Sequence, residues 1–161
     1  MMRLLIMLHD SSSRLAFGGA GLALVLATGL YVFEVVARYI FDSPTTWSGE
    51  FVRYSLAFVI FLALPEVTRR KRHVAIEIIF ELLGARSKRK LVALTDFVGS
   101  LVCLSVGFIC ASQAHIQFER EILTNAVHPI PRYWLTAAIA FGLMSAGLHF
   151  MRNMISGGDR T

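Results

Sequence analysis

The chain has 161 residues, of which 55% are hydrophobic and 17% are charged, and its mean hydropathy is +0.60. The apolar residues are gathered into long runs instead of being spread at amphipathic spacing, which excludes a soluble domain. No segment alternates apolar and polar residues, so a transmembrane β-barrel is excluded as well. The net charge of +5 needs no nucleic-acid partner, because the basic residues lie where lipid headgroups would attract them.

Four apolar segments approach the roughly 20 residues that a helix needs to cross a bilayer core about 30 Å thick. These segments are residues 15–37, 51–67, 91–112 and 133–151. The first follows Arg3 and Arg14 as a signal peptide would, but its apolar run is too long and no cleavage site follows it, so we interpret it as a retained helix. The sequence therefore predicts an all-α integral membrane protein, a four-helix bundle forming one domain over residues 1–161.

Lysine and arginine are distributed unevenly between the two sides that this topology creates. The two tails and the connection between the second and third segments hold 12 of the 16 basic residues. The other side holds the remaining four, Arg38, Arg53, Arg120 and Arg132. Since cytoplasmic loops carry the excess of Lys and Arg, we predict that both termini and the central connection are cytoplasmic and that the loop RYIFDSPTTWSGE faces outward.

The central connection contains an amphipathic stretch, HVAIEIIFELL, at residues 73–83. Its polar residues His73, Glu77 and Glu81 recur every four positions, which predicts a short helix lying in the membrane interface. This helix is interpreted either as a brace against a partner subunit or as an anchor to the lipid surface. We interpret His73 as a hydrogen-bonding residue and not as a metal ligand, because no second His or Cys stands at ligand spacing.

Cysteine and histidine in the last two segments do not indicate a disulfide or a haem site. Cys103 and Cys110 are seven residues apart on one helix, about 10 Å of rise, so they cannot bridge each other. His115 and His149 would lie at depths that differ by about 20 Å, so one haem iron cannot bind both. The middle of each segment is apolar, and a small antiporter needs a carboxylate there. We therefore expect no catalytic residue, cofactor or metal.

Several motifs in chain order resemble the small membrane subunit, of DctQ type, of the TRAP transporters, the tripartite ATP-independent periplasmic transporters. The motifs are Arg38-Tyr39, then Trp47-Ser48-Gly49-Glu50, then RRKRHVAIE from Arg69 to Glu77, and finally PIPRYW before the fourth segment. Two positions depart from the family pattern. Pro65 stands where a glycine-containing helix end is expected and would kink or end the helix. Glu77 stands where the family often has Asp.

The resemblance implies a division of labour among three partners. A periplasmic substrate-binding protein captures an organic acid, and a large TRAP membrane subunit moves it by an elevator motion that a cation gradient drives, usually sodium. The small subunit is the fixed scaffold beside the large one, in the inner membrane of a bacterium. Two other classes remain open: the four-helix membrane anchor of a redox complex, and a stand-alone small transporter.

The resemblance suggests a role for the outward-facing loop RYIFDSPTTWSGE. Our hypothesis is that Trp47 and Glu50, with Arg38, hold the outer ends of the first two helices against each other and present a rim to the large subunit or to the binding protein. The alternative is an internal brace in which Glu50 pairs with Arg38 or Arg53 at the interface. Glu34 precedes Arg38 by four residues, a spacing at which two side chains meet on one helical face.

Overall fold

A computed structural model describes residues 2–70 and 85–156 of the chain. It contains four helices in this part: α1 (Met2–Tyr39), α2 (Ser48–Arg69), α3 (Ala85–Glu119) and α4 (Tyr133–Ser156). Each is long and apolar enough to cross a membrane, which confirms the predicted all-helical fold with four membrane segments. No β-strand occurs within the described ranges, only a single bridge between Leu123 and Pro131. The predicted interfacial helix with His73, Glu77 and Glu81 lies outside the described residues.

The helices extend beyond the predicted apolar segments. α1 begins at Met2 and not near residue 15, because the polar stretch HDSSSR continues the helix. Ser12 and Ser13 each donate a side-chain hydrogen bond to the carbonyl oxygen of His9, at 2.8 and 3.0 Å, so their hydroxyls bond to the helix backbone. α3 likewise runs from Ala85 to Glu119, further than the predicted 91–112 at both ends.

The four helices pack side by side. Extensive contacts join α1 to α2, α2 to α4, and α4 to α3 within the described part of the chain. The predicted bundle is therefore laid out as a row in the order α1, α2, α4, α3, with α1 and α3 at its edges. We call the end that carries residues 40–47 and 120–132 the loop face. We call the opposite end, with the first turns of α1 and the last turns of α2 and α4, the tail face.

Small residues form the contacts between the helices. The buried hydrophobic residues of the described chain are all alanines: Ala20, Ala27, Ala37, Ala114, Ala140 and Ala146. Small side chains let membrane helices approach closely, so that van der Waals packing holds them together where no hydrophobic effect acts. The larger apolar side chains of α1 and α3 are exposed, as Val25 and Phe108 show at 68% and 69%. They form the surface that lipid or another subunit contacts.

The crossing of α2 and α4 depends on a proline and a glycine. α2 continues through Pro65 as far as Arg69, so the proline does not end the helix. Because proline has no N–H, it leaves the carbonyl of Phe61 without its usual donor within the helix. Gly142 of α4 lies directly against that carbonyl: a Cβ atom at position 142 would come within 2.1 Å of the Phe61 oxygen. Only a glycine allows this approach, in which its Cα hydrogens face the free oxygen.

Candidate functional site

The carboxylate of Glu34 is the centre of the loop face. Arg38 donates to its Oε1 over 2.7 Å. The other oxygen, Oε2, accepts from the backbone N–H of Thr45 at 3.1 Å, from the Thr45 hydroxyl, and from the Ser48 hydroxyl at 2.8 Å. One side chain of α1 is thus bonded to its own helix, to the loop and to the first turn of α2. Because donors surround both oxygens, the group holds structure together and is not a free acid or base.

Aromatic side chains support the same junction. Trp47 immediately precedes α2 and lies 6.1 Å from the ring of Phe33 on α1, measured between ring centroids. Its other neighbour is Phe51, in an edge-to-face contact at 6.0 Å, and Phe51 in turn meets Tyr54 at 6.2 Å. Such tilted and edge-to-face pairs add to the energy of burial. The tryptophan therefore packs between α1 and α2, on the residues that flank the Glu34 network.

Glu50 connects α2 to the other loop. Its Oε1 accepts a hydrogen bond from the backbone N–H of Val127, in the α3–α4 connection, at 3.1 Å. Its Oε2 is buried and accepts no hydrogen bond from the described residues. Arg53 donates through Nε to the carbonyl oxygen of Gly49 at 3.1 Å. The structure thus gives Arg38 the partner Glu34, and it gives Glu50 a backbone partner in place of an arginine.

An open cleft of about 420 Å³ lies at the loop face between α1 and α2. Arg38, Glu50 and Arg53 line it, together with Glu34 and Tyr39. Of the four site residues predicted in this loop, three therefore share the cleft, and Trp47 packs beside it. Thr45 and Ser48 were not predicted as donors to Glu34. The run of hydroxyl residues just before a predicted helix was the available signal, since such residues bond to groups near a helix start.

A second carboxylate, this one fully buried, lies at the tail face, where Glu66 of α2 is only 1% exposed. Arg69 binds it with two parallel hydrogen bonds of 2.7 and 2.6 Å, and Arg70 adds one of 2.7 Å. The partners are Arg69 in the last turn of α2 and Arg70 directly after it, three and four residues further along, so this network closes at the end of α2. Arg70 also lies over the ring of Phe17 on α1, at 5.7 Å from its centroid.

Polar contacts between the two ends of the chain complete the tail face. Arg152 of α4 donates to Asp10 of α1 at 2.7 Å. The imidazole rings of His9 and His149 stack with centroids 4.2 Å apart, a pair that was not predicted from the sequence. His115 is exposed and lies 3.4 Å from Glu119 on its own helix. No spacing motif marks the contact of His9 with His149, because α1 and α4 are distant in sequence.

Comparison with known proteins places the chain among transporter subunits. The family model described as "Tripartite ATP-independent periplasmic transporters, DctQ component" matches residues 27–158. A "Putative TRAP transporter small permease protein" of Haemophilus influenzae is 30% identical over 96 residues, which cover 60% of this chain and 55% of the relative. "Sialic acid TRAP transporter permease protein SiaT" of the same species is 24% identical over 125 residues, 74% of this chain and 19% of that protein. The match thus spans about half of the first relative and a fifth of the second.

Proposed function

Because the chain belongs to the DctQ component family of the tripartite ATP-independent periplasmic transporters, we propose that it is the fixed scaffold subunit of such a transporter. In this role it stabilises a large elevator subunit of the membrane. That subunit takes up an organic acid with a cation gradient, sodium being the coupling ion, and a periplasmic binding protein delivers the substrate. The observation that carries the proposal is the family match, which includes the last third of α1 and all of α2, α3 and α4 as far as they are described.

The distribution of charge supports a location in the bacterial inner membrane with both termini in the cytoplasm. The loop face, with four basic residues, is then periplasmic, and the tail face is cytoplasmic. In this orientation the cleft lined by Arg38, Glu50 and Arg53 opens toward the compartment of the binding protein. We propose these residues with Trp47 as the rim that meets a partner. For His73, Glu77 and Glu81 the proposal remains an interfacial brace on the cytoplasmic side.

The α1 edge of the row is the surface we propose for the large subunit. Gly18, Gly21 and Gly29 are exposed, and a Cβ atom at any of them would have no neighbour within 4 Å. The glycines of α3 differ, since Gly99 and Gly107 pack against side chains of α4. Open glycines on a membrane helix allow the backbone of a second helix to approach closely. α1 therefore offers a contact surface that the four described helices leave free.

Copurification tests the scaffold role. The tagged chain is extracted from its native membrane in mild detergent, and the sample is examined by mass spectrometry and by its absorption spectrum. We expect a much larger polytopic membrane protein in roughly equal amount, without a haem band. Recovery of the chain alone, or with a Soret band, would contradict the scaffold role and favour the stand-alone transporter or the redox anchor.

Matched substitutions test the contact surface. Gly29→Leu places a side chain on the open face of α1, and Ala93→Leu places one on an exposed position of α3. We expect Gly29→Leu to reduce recovery of the large protein and Ala93→Leu to leave it unchanged. The reverse result would move the contact to the α3 edge, and equal recovery with both variants would show that neither position lies in the contact.

A further inference from the structure

Three side chains that commonly bind metals meet at the tail face. His9 and Asp10 of α1 approach His149 of α4, and one ligand atom of each lies within 4.8 Å of the other two. His9 and Asp10 precede residue 27, so they stand outside the region that matches the transporter family. We propose that His9, Asp10 and His149 bind a divalent transition-metal ion of the Zn²⁺ type. No metal site was expected from the sequence, because these residues come from opposite ends of the chain.

The hydrogen bonds of Ser13 fix the state of His149. The Ser13 hydroxyl lies 3.0 Å from the carbonyl oxygen of His9 and 2.9 Å from Nε2 of His149. A hydroxyl has one proton, and the carbonyl can only accept, so the proton goes to the carbonyl and Nε2–H of His149 donates to the serine. Nδ1 of His149 then carries a free lone pair. The His149 side chain is fully buried, and Nδ1 has no partner among the described residues.

A buried lone pair without a donor is unfavourable, so the position favours a ligand that accepts electrons. A metal ion is such a ligand. An ion bound to Nδ1 of His149 would remove the cost of leaving this buried nitrogen without a partner.

The other two ligands are held in the same way. Nε2 of His9 forms a hydrogen bond with the Ser145 hydroxyl at 2.9 Å, which leaves Nδ1 of His9 available. Oδ1 of Asp10 accepts from Arg152 at 2.7 Å, which leaves Oδ2 available. Each ligand thus has one atom bonded to an outer partner and one atom free, the pattern by which proteins orient metal ligands. Two imidazoles and a carboxylate are also a set that zinc uses, with water as the fourth ligand.

Because the rings of His9 and His149 are stacked, one of them has to move before both can bind the same ion. The ring planes of His9 and His149 are inclined by 23°, and each lone pair lies in its own ring plane. An ion shared by both requires one ring to turn about its Cβ–Cγ bond, away from the present stack and from the hydrogen bond that its Nε2 now forms. The positive charge of Arg152 repels any cation, but its competition for the carboxylate disfavours Mg²⁺ or Ca²⁺ in particular, because these ions depend on oxygen ligands. Imidazole nitrogens favour Zn²⁺ or Cu²⁺, so selectivity for these ions follows.

Zinc binding by the full-length chain tests the proposal. The chain is purified in detergent without a polyhistidine tag and titrated with Zn²⁺ against a chromophoric chelator. We expect one ion per chain, and binding weaker by about tenfold or more in His9→Ala and in Asp10→Asn. The matched control is His115→Ala, which removes an exposed histidine that also lies beside a carboxylate, and we expect it to bind zinc as the unchanged chain does.

Thermal unfolding separates loss of the site from loss of the fold. Asp10→Asn keeps the shape of the side chain, so we expect it to unfold cooperatively without metal. Zn²⁺ should raise the melting temperature of the unchanged chain and of His115→Ala, and it should not raise that of Asp10→Asn. The proposal is overturned if the unchanged chain binds no zinc, if Asp10→Asn and His9→Ala bind it equally well, or if His115→Ala loses binding.

Discussion

The two faces of the row are held by carboxylates in different ways. At the loop face, Glu34 of α1 binds donors from α1, from the loop and from α2, so one side chain joins three segments. At the tail face, Glu66 binds two arginines of its own helix, and contacts between α1 and α4 join the helices instead. Chain proximity explains the difference. A short loop brings α2 next to α1, whereas the tail face has to join opposite ends of the chain.

We expect the largest loss of stability from a substitution at the crossing of α2 and α4, which lies between the two faces. Gly142→Leu forces a side chain into the carbonyl of Phe61, which as backbone cannot move aside. The expected loss is about 3 kcal/mol or more of the free energy of unfolding, measured by thermal unfolding in detergent. Gly29→Ala is the control: its site is open, and a more stable helix is expected. Equal stability of Gly142→Leu and the unchanged chain would contradict the close approach.

The next largest effect concerns the tail face. Glu66→Gln removes the negative charge that faces Arg69 and Arg70 in a buried position. Hydrogen bonds to charged groups contribute more than neutral ones, so we expect a loss of about 2 kcal/mol in the same measurement. Glu119→Gln, an exposed carboxylate on α3, should leave stability unchanged. If both variants unfolded at the same temperature, the network of Glu66 would not stabilise the tail face.

A smaller loss is expected for Glu34→Gln. The amide keeps one acceptor oxygen, and Arg38 is half exposed, so water replaces part of what the arginine loses. Because Glu34 joins three segments, the loosening should spread beyond its own helix. Hydrogen–deuterium exchange should therefore increase in residues 40–47 as well as in the adjoining turns of α1 and α2, whereas Glu66→Gln should affect only the end of α2. Confinement of the change to α1 would contradict the joining role.

The smallest effect on the fold is expected for Glu50→Gln. The amide can still accept from the backbone of Val127, and Oε2 has no partner to lose within the described residues. We expect the free energy of unfolding to stay within about 0.5 kcal/mol. Assembly with the large subunit, and uptake by the complete transporter, should decrease if Glu50 lies at the rim. Unchanged assembly and uptake would show that the rim does not meet a partner through this residue.

Local spacing made part of this arrangement predictable. The four membrane helices follow from the length of the apolar segments, and the pair of Glu34 with Arg38 follows from a separation of four residues. The contacts between α1 and α4 at the tail face could not be predicted in this way. They join residues more than 130 positions apart, such as His9 and Ser145, and no periodicity specifies which helices become neighbours. The row order α1, α2, α4, α3 likewise depends on packing of small residues that occur on every helix.

The extent of the polar start of α1 was also missed, for a definable reason. The low hydropathy of the segment HDSSSR predicts that the helix begins after it. The serine hydroxyls bond to backbone carbonyls, however, and the helix continues through the segment. Its acidic residue Asp10 is paired with Arg152 of α4, which hydropathy along one helix does not register. Local bonds of the serines and the pairing of Asp10 with α4 therefore account together for the polar start of α1.

Unequal helix lengths have a consequence for the surrounding lipid. The membrane segments at the two edges, Ile6–Tyr39 and Lys90–Glu119, have 34 and 30 residues, and the two inner segments have 22 each. At about 1.5 Å per residue, the inner pair matches a hydrocarbon core of about 30 Å and the edge helices exceed it. The additional turns carry polar side chains, as in HDSSSR of α1 and in Gln113, Gln117 and Glu119 of α3, so they extend past the hydrocarbon toward the headgroups. The edges of the row are thus the parts on which lipid headgroups act, whereas hydrocarbon chains surround its middle.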